Sequence, residues 1–263
     1  MEFVRWFLQV KRGNAFLAWG GRNSLPFWKQ NELFWDDDVR TAGVGVGSRV
    51  GSASSNLTFN AGTVRFPDGW IDFAGNLHVG RVVYTSSSQP FGYTAALGLL
   101  RLDGSEKSLQ LRNGKRDYAI WMGNLQARAK AGGRPLTLGF GLMHNAEDYS
   151  GAGDAYTAAN RDQKDGFVIS MHRDQTNTKR DWQIGYYYAR IETLAVNASF
   201  AQDDWVRWGT ATQTDASDFK GHELRFVYVP VGKMDAMARL YLVEAITSRQ
   251  NGRRVRLDAN FRF

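Results

Sequence analysis

The sequence predicts an all-β protein, an antiparallel transmembrane β-barrel of about 12–14 strands. Three observations carry that expectation. Apolar and polar residues alternate in segment after segment, long and short connections take turns between the segments, and no run reaches the ~18 consecutive apolar residues of a membrane-crossing helix. Of the 263 residues, 43% are hydrophobic and 13% aromatic, enough for an ordered fold, although the mean hydropathy is negative. With helical spans excluded, so many Trp, Tyr and Phe require either a soluble β-rich core or a barrel whose apolar face meets lipid. Nothing divides residues 1–263, which read as a single domain.

The first segment, Met1 to Gly13, mixes Arg5, Gln9 and Lys11 with its apolar residues and reads as a strand rather than a secretory leader. Further along, Leu57, Phe59 and Ala61 alternate with Thr58, Asn60 and Gly62, and Leu125, Ala127 and Ala129 with Asn124, Gln126, Arg128 and Lys130. Leu136, Leu138, Phe140 and Leu142 follow the same rule, as do Trp182, Ile184, Tyr186 and Tyr188, then Leu224, Phe226 and Tyr228. The last segment sets Val255, Leu257, Ala259, Phe261 and Phe263 against Arg254, Arg256, Asp258, Asn260 and Arg262. A period of two puts the two sets on opposite faces of a strand.

Connections give independent support. Long ones are expected at Arg22 to Asp38, Asp103 to Asp117, Asn145 to Asp165 and Ala201 to Phe219. Short ones fall at Lys11 to Asn14, Gly51 to Ser55, Ser86 to Pro90, Ala131 to Gly133, Asp174 to Lys179 and Pro230 to Lys233. Asn251-Gly252 reads as a two-residue hairpin turn. Long loops on one rim and tight turns on the other are the habit of outer-membrane barrels, although Asn251-Gly252 and Pro67 to Gly69 are short links on the long-loop rim. Roughly thirteen strands leave the termini on opposite sides, whereas bacterial barrels are normally even-numbered, so the expectation includes a larger barrel truncated at its N-terminus. A soluble sandwich or propeller is the competing architecture.

At Gly21-Arg22-Asn23-Ser24-Leu25-Pro26-Phe27-Trp28, followed by Leu33-Phe34-Trp35-Asp36-Asp37-Asp38, the chain resembles the putative porin family of Gram-negative outer membranes. The resemblance implies a lipid-embedded pore made with a signal peptide and with further sequence before this segment. The closing Phe261 and Phe263 also resemble the C-terminal signal read by the outer-membrane assembly machinery, with Asp258 where a glycine is often found.

A barrel of this size holds more space than its side chains fill, so a water-filled channel for passive diffusion of small hydrophilic solutes is the expected function. The inward set comprises Arg5, Arg128, Lys130, Arg225, Arg239, Arg254, Arg256 and Arg262 against Glu223, Asp235 and Asp258. That cationic excess predicts anion preference. In the segment from Arg22 to Asp38, Trp28 and Trp35 need apolar contacts, and folding inward would set Asp36, Asp37 and Asp38 against the basic wall as a constriction. Interfacial anchoring and calcium binding are the other readings of those residues.

His78, His144, His172 and His222 lack metal-ligand spacing, Ser86 to Ser88 lack a nucleophile-elbow context, and cysteine is absent. No catalytic residue, metal or cofactor is therefore expected. The alternatives are a barrel enzyme acting on lipid and a soluble β-rich binding protein. Despite a formal charge of +7, the basic residues are scattered rather than gathered, which argues against nucleic acid. The expected partners are outer-membrane lipids, small solutes, the assembly machinery and further copies of the chain in a homo-oligomer, all at the bacterial outer membrane.

Overall fold

In a computed structural model the chain is described except for residues 1–4, 14, 68–72, 88–89, 105–115, 203, 206–215 and 262–263, and of residues 67, 73 and 74 only the backbone is described. Among the described residues, 13 strands form one antiparallel sheet in which each is paired to its sequence neighbour. The strands are β1 (Trp6–Arg12), β2 (Phe16–Ser24), β3 (Arg40–Gly51), β4 (Ser55–Pro67), β5 (Phe73–Ser86), β6 (Gly92–Asp103) and β7 (Tyr118–Ala131). They continue as β8 (Arg134–Asn145), β9 (Asp165–Gln175), β10 (Trp182–Ile191), β11 (Phe219–Val231), β12 (Met234–Ala245) and β13 (Asn251–Phe261). A short helix, α1 (Ala155–Asn160), lies between β8 and β9.

The alternation seen in the sequence becomes a difference between two faces. In β8, Leu138, Phe140 and Leu142 are exposed, while Met143 and Asn145 are buried on the other side. The same division runs through β11, where Leu224 and Phe226 point outward and Glu223 is buried. Register carries it from strand to strand: Gly141 opposes Asn124 and Val168, Ser170 opposes Tyr187, and Tyr187 opposes Glu223. A one-residue slip anywhere would turn these sets inside out, which is why the apolar pattern specifies the register so strongly.

The concave face encloses its own connections. Residues 25–39, between β2 and β3, and the described part of 192–218, between β10 and β11, pack against the inner face. Leu25, Phe27, Leu33, Phe34 and Trp35 of the first join Ala195, Val196, Phe200 and Trp205 of the second in one apolar core. That core includes Phe66, Leu77, Leu102, Tyr118, Ile120 and Ile191 from the long-loop ends of the strands. Phe200 touches the ring of Phe66 at 4.9 Å between centroids, although β4 and the β10–β11 connection are far apart in the sheet order. The sheet therefore curls around these segments.

Three details differ from the sequence reading. Asn251 and Gly252 are not the turn; they open β13 opposite Glu244 and Val243. The reversal lies at 246–250, closed by the Ala245 N–H to the Gln250 carbonyl at 2.8 Å and held by Asp218, which accepts the Thr247 N–H at 2.9 Å. Those tertiary bonds outweigh the local preference of Asn-Gly. Second, β10 stops at Ile191, so the next connection begins at 192 rather than 201. Its apolar residues bury themselves in the concavity instead of extending the strand. Gly132 and Gly133, by contrast, make the expected tight turn, with φ of 58° and 76° that L side chains rarely adopt.

The third difference is at the seam. The sheet is not closed, and among the described residues β1 and β13 are edge strands. With every neighbour antiparallel, strands one and thirteen run in the same sense and cannot pair antiparallel with each other.

Candidate functional site: a polar inner wall and two inward segments

Ladder geometry fixes where each wall residue points. On β7, Asn124, Gln126, Arg128 and Lys130 share the inner face with buried Tyr118, Ile120 and Met122. Arg128 and Lys130 sit exposed toward the short turn, away from the apolar core. Arg5 precedes β1 and is exposed, and Arg262 lies outside the described residues, as does Phe263.

The rest of the expected inner set comes together on β11–β13. Arg225 bonds Glu223 at 2.7 Å and lies over the Tyr187 ring at 5.0 Å. Asn260 donates to Asp235 at 2.7 Å. Arg239 opposes Arg256 across the ladder, and Arg254 opposes Tyr241. Three arginines so close would repel one another without a counter-charge. Asp204, from the second inward segment, supplies it. Its carboxylate accepts from Arg239 at 2.9 Å, pairs with Arg254 at 3.5 Å and is held by Arg256, while its backbone carbonyl accepts from Arg254 at 2.8 Å. Asp258 adds a second acid, bonded to Arg256 at 2.7 Å.

Sequence reasoning missed Asp204. No periodicity marks a loop residue that reaches a distant wall; the only signal was an excess of arginine on the last strands, which demanded an acid from somewhere. The expected source was the Asp36 to Asp38 cluster. Asp37 pairs with Lys29 of its own segment. Asp36 accepts the Asp38 N–H at 2.7 Å, and its own N–H donates to the Phe200 carbonyl at 2.7 Å. Glu32, in the same segment, has its carboxyl pushed above the usual range by burial, with Asp37 and Asp36 adding repulsion against the opposing effect of Lys29.

Trp28 and Trp35 both face inward. Trp35 is 1% exposed and stacks on Phe200 at 5.1 Å between centroids, tying the two inward segments together. Trp28 lies against the guanidinium of Arg81 on β5 at 5.3 Å, and Arg81 also donates to Asn124. Gln30 completes the docking: it accepts from Asn124 at 3.1 Å and donates to the Leu125 carbonyl at 3.1 Å. Glycine makes room for it, because a Cβ at Gly139 would fall on the Gln30 amide.

The chain matches no family model, and no curated protein is significantly similar to it. Chemical reading therefore rests on the residues themselves. Among the described residues, no three or more His, Asp or Glu side chains converge as a metal site, Asp36, Asp37 and Asp38 included. His144 bonds Asp165 at 2.7 Å and His222 bonds Tyr186 at 2.9 Å, both exposed on the outer face. What the inner wall offers is a set of fixed cations, partly compensated by acids, lining a concavity narrowed by two inward segments.

Proposed function

We propose that this chain is the wall of an outer-membrane β-barrel that carries small hydrophilic solutes through a water-filled path, with a preference for anions. A single observation carries this reading: the outer face of the sheet is apolar from edge to edge. Leu8 and Val10 on β1, Val44 and Val46 on β3, Leu97 on β6, Leu138 and Phe140 on β8, Leu224 on β11, and Val255 and Leu257 on β13 are all exposed. An apolar surface on that scale is unfavourable in water and is what lipid would cover.

The ends of the outer face agree with it. Near the short turns stand Tyr84, Tyr93, Trp182 and Tyr228, aromatics with polar tips suited to a membrane boundary. Arg101, His144, Asp165, Arg190, Lys220 and Glu244 form a charged border near the long loops. From β2 onward the strands are 9 to 14 residues long, enough for a tilted crossing of about 9–11 residues. Closure of the seam then requires either a parallel pairing of β1 with β13 or an intervening strand of opposite sense.

Anion preference is supported by the described residues of the wall, where Arg128, Lys130, Arg239, Arg254 and Arg256 outnumber Asp235, Asp258 and the Asp204 set among them, Glu223 being taken by Arg225. Reconstitution into planar bilayers tests the proposal. Discrete conductance steps with an anion-selective reversal potential at low salt are expected, weakening as salt screens the wall. Absence of conductance from protein that has folded and inserted would overturn the pore, and cation selectivity would overturn the preference.

A further inference from the structure

The two borders of the outer face differ in charge. Near the long loops the cations stand beside acids: Arg101 with Asp103 at 3.1 Å, His144 with Asp165 at 2.7 Å, Arg190 with Glu192 at 2.9 Å and Lys220 with Glu244 at 3.3 Å. At the short turns between β7 and β12 they do not. Arg134 pairs with Asp174, but Arg173, Lys179, Arg180 and Lys233 form no ion pair among the described residues. The other acid of these turns, Asp181, is turned to the backbone, accepting the Asn177 N–H at 2.8 Å and the Thr178 N–H at 2.7 Å. Residues 173–182 and 230–234 are all described and hold no further carboxylate; Asp235, the next along, is buried on the inner face against Asn260.

These cations lie in line with the apolar face. Arg173 stands in one row of the ladder between Leu136 and Ile184, and in the next row on its face Leu138 opposes Met171. Its guanidinium bends toward the turn and donates to the Arg134 carbonyl at 3.4 Å, as a long cationic side chain does at the edge of an apolar layer. Arg134 lies over the half-buried Trp182 ring at 5.3 Å. The turn between β9 and β10 is tied to β11, its Arg180 N–H donating to the Val229 carbonyl at 2.7 Å and the Val229 N–H to the Asp181 carbonyl at 3.0 Å. Those bonds hold Arg180 at a φ of 70°, which L side chains rarely adopt, and keep the exposed Lys179 and Arg180 at the rim.

We infer that this rim binds the anionic headgroups of phospholipids in the leaflet on the short-turn side, an acyl chain lying along Leu138 and Met171 and the phosphate held among Arg173, Lys179 and Arg180. The inference rests on the membrane reading above and deepens it by naming a lipid partner and its side of the bilayer. Position selects the occupant. Arginines that continue an apolar row beside a boundary tryptophan lie at headgroup depth, whereas an acidic polymer in water would meet the turn tips alone. A second copy of this chain would bring the same cations face to face.

The test uses the full chain reconstituted into vesicles of phosphatidylcholine and acyl-matched phosphatidylglycerol, then extracted gently and weighed by native mass spectrometry. Retention of phosphatidylglycerol at about fivefold over phosphatidylcholine is expected, the effect of one basic side chain at an anionic surface, and the ratio should fall in high salt. Arg173→Gln, Lys179→Gln and Arg180→Gln together should bring the ratio to about one while flotation with vesicles persists. Lys220→Gln with Arg253→Gln, at the opposite border, should leave it unchanged. Equal retention of the two lipids by the parent would overturn the inference, as would a preference that the triple variant keeps or that the long-loop variant loses as fully. Equal lipid retention together with binding of polyglutamate would give the rim to an acidic polymer instead. Failure of the parent to float with vesicles of any composition would overturn the membrane reading and this inference with it.

Discussion

The two inward segments occupy the same concavity but are fastened by different physics. Residues 25–39 dock through neutral groups and a ring face: Gln30 on Asn124 and the Leu125 carbonyl, and Trp28 against Arg81. Their ion pair, Lys29 with Asp37, stays within the segment. The second segment adds charge to its apolar contacts, with Asp204 set among Arg239, Arg254 and Arg256. Only the second attachment should respond strongly to wall charge, and so only it should couple loop position to the selectivity of the path.

The contact between the segments is the most consequential place to break that comparison. Trp35→Ala removes a fully buried ring from its stack on Phe200, and truncation of a buried Trp costs about 3–5 kcal/mol. Urea unfolding of the folded protein in detergent should register a loss of that size. The fully apolar replacement Trp35→Phe should recover more than half of it.

Asp204→Asn should come next, at about 3 kcal/mol. That lies at the lower end for breaking a buried pair, because Arg254 and Arg256 keep about a third of their side chains in solvent. Three arginines would lose their shared acid, so anion preference measured by reversal potential should rise, and the rise should fade with salt. Neutralising Asp37 in the first segment should leave selectivity nearly unchanged. Equal effects of the two substitutions would erase the difference between the segments.

The smallest effect concerns Glu32. Its carboxyl is raised above the ordinary value by burial, so the folded state takes up a proton more readily than the unfolded chain. Stability should therefore increase as pH falls through that raised pKa, with the gain complete below the ordinary 4.5. Glu32→Gln should be more stable than the parent at neutral pH, and melting curves across this range should lose that component.

Legibility in the sequence followed the range of the interactions. Strand count, phase and the inner placement of Glu223, Arg225, Arg239, Arg254, Arg256 and Asp258 were readable because a period of two is a local property. That 25–39 must pack against something was readable too, since Phe27, Trp28, Leu33, Phe34 and Trp35 have no reason to stay in water, but a membrane interface would have served them as well as the inner face. Asp204 was not, and neither was the actual turn at 246–250, because both depend on partners distant in sequence. Asp36 to Asp38 looked like the counter-charge of the wall, yet Lys29 lay closer along the chain and took Asp37 first.

Whether the apolar face of this sheet meets lipid and the polar face meets water is the claim on which the rest depends. The chain has no cysteine, so single spin labels can be introduced along β8 and β13 without background. Labels at Leu138, Leu142 and Leu257 in vesicle-reconstituted protein should be relaxed by oxygen, and labels at Thr137, Arg254 and Asp258 by a water-soluble nickel chelate, alternating residue by residue. Uniform access of the nickel chelate to both faces would contradict the account, because it would place the whole sheet in water.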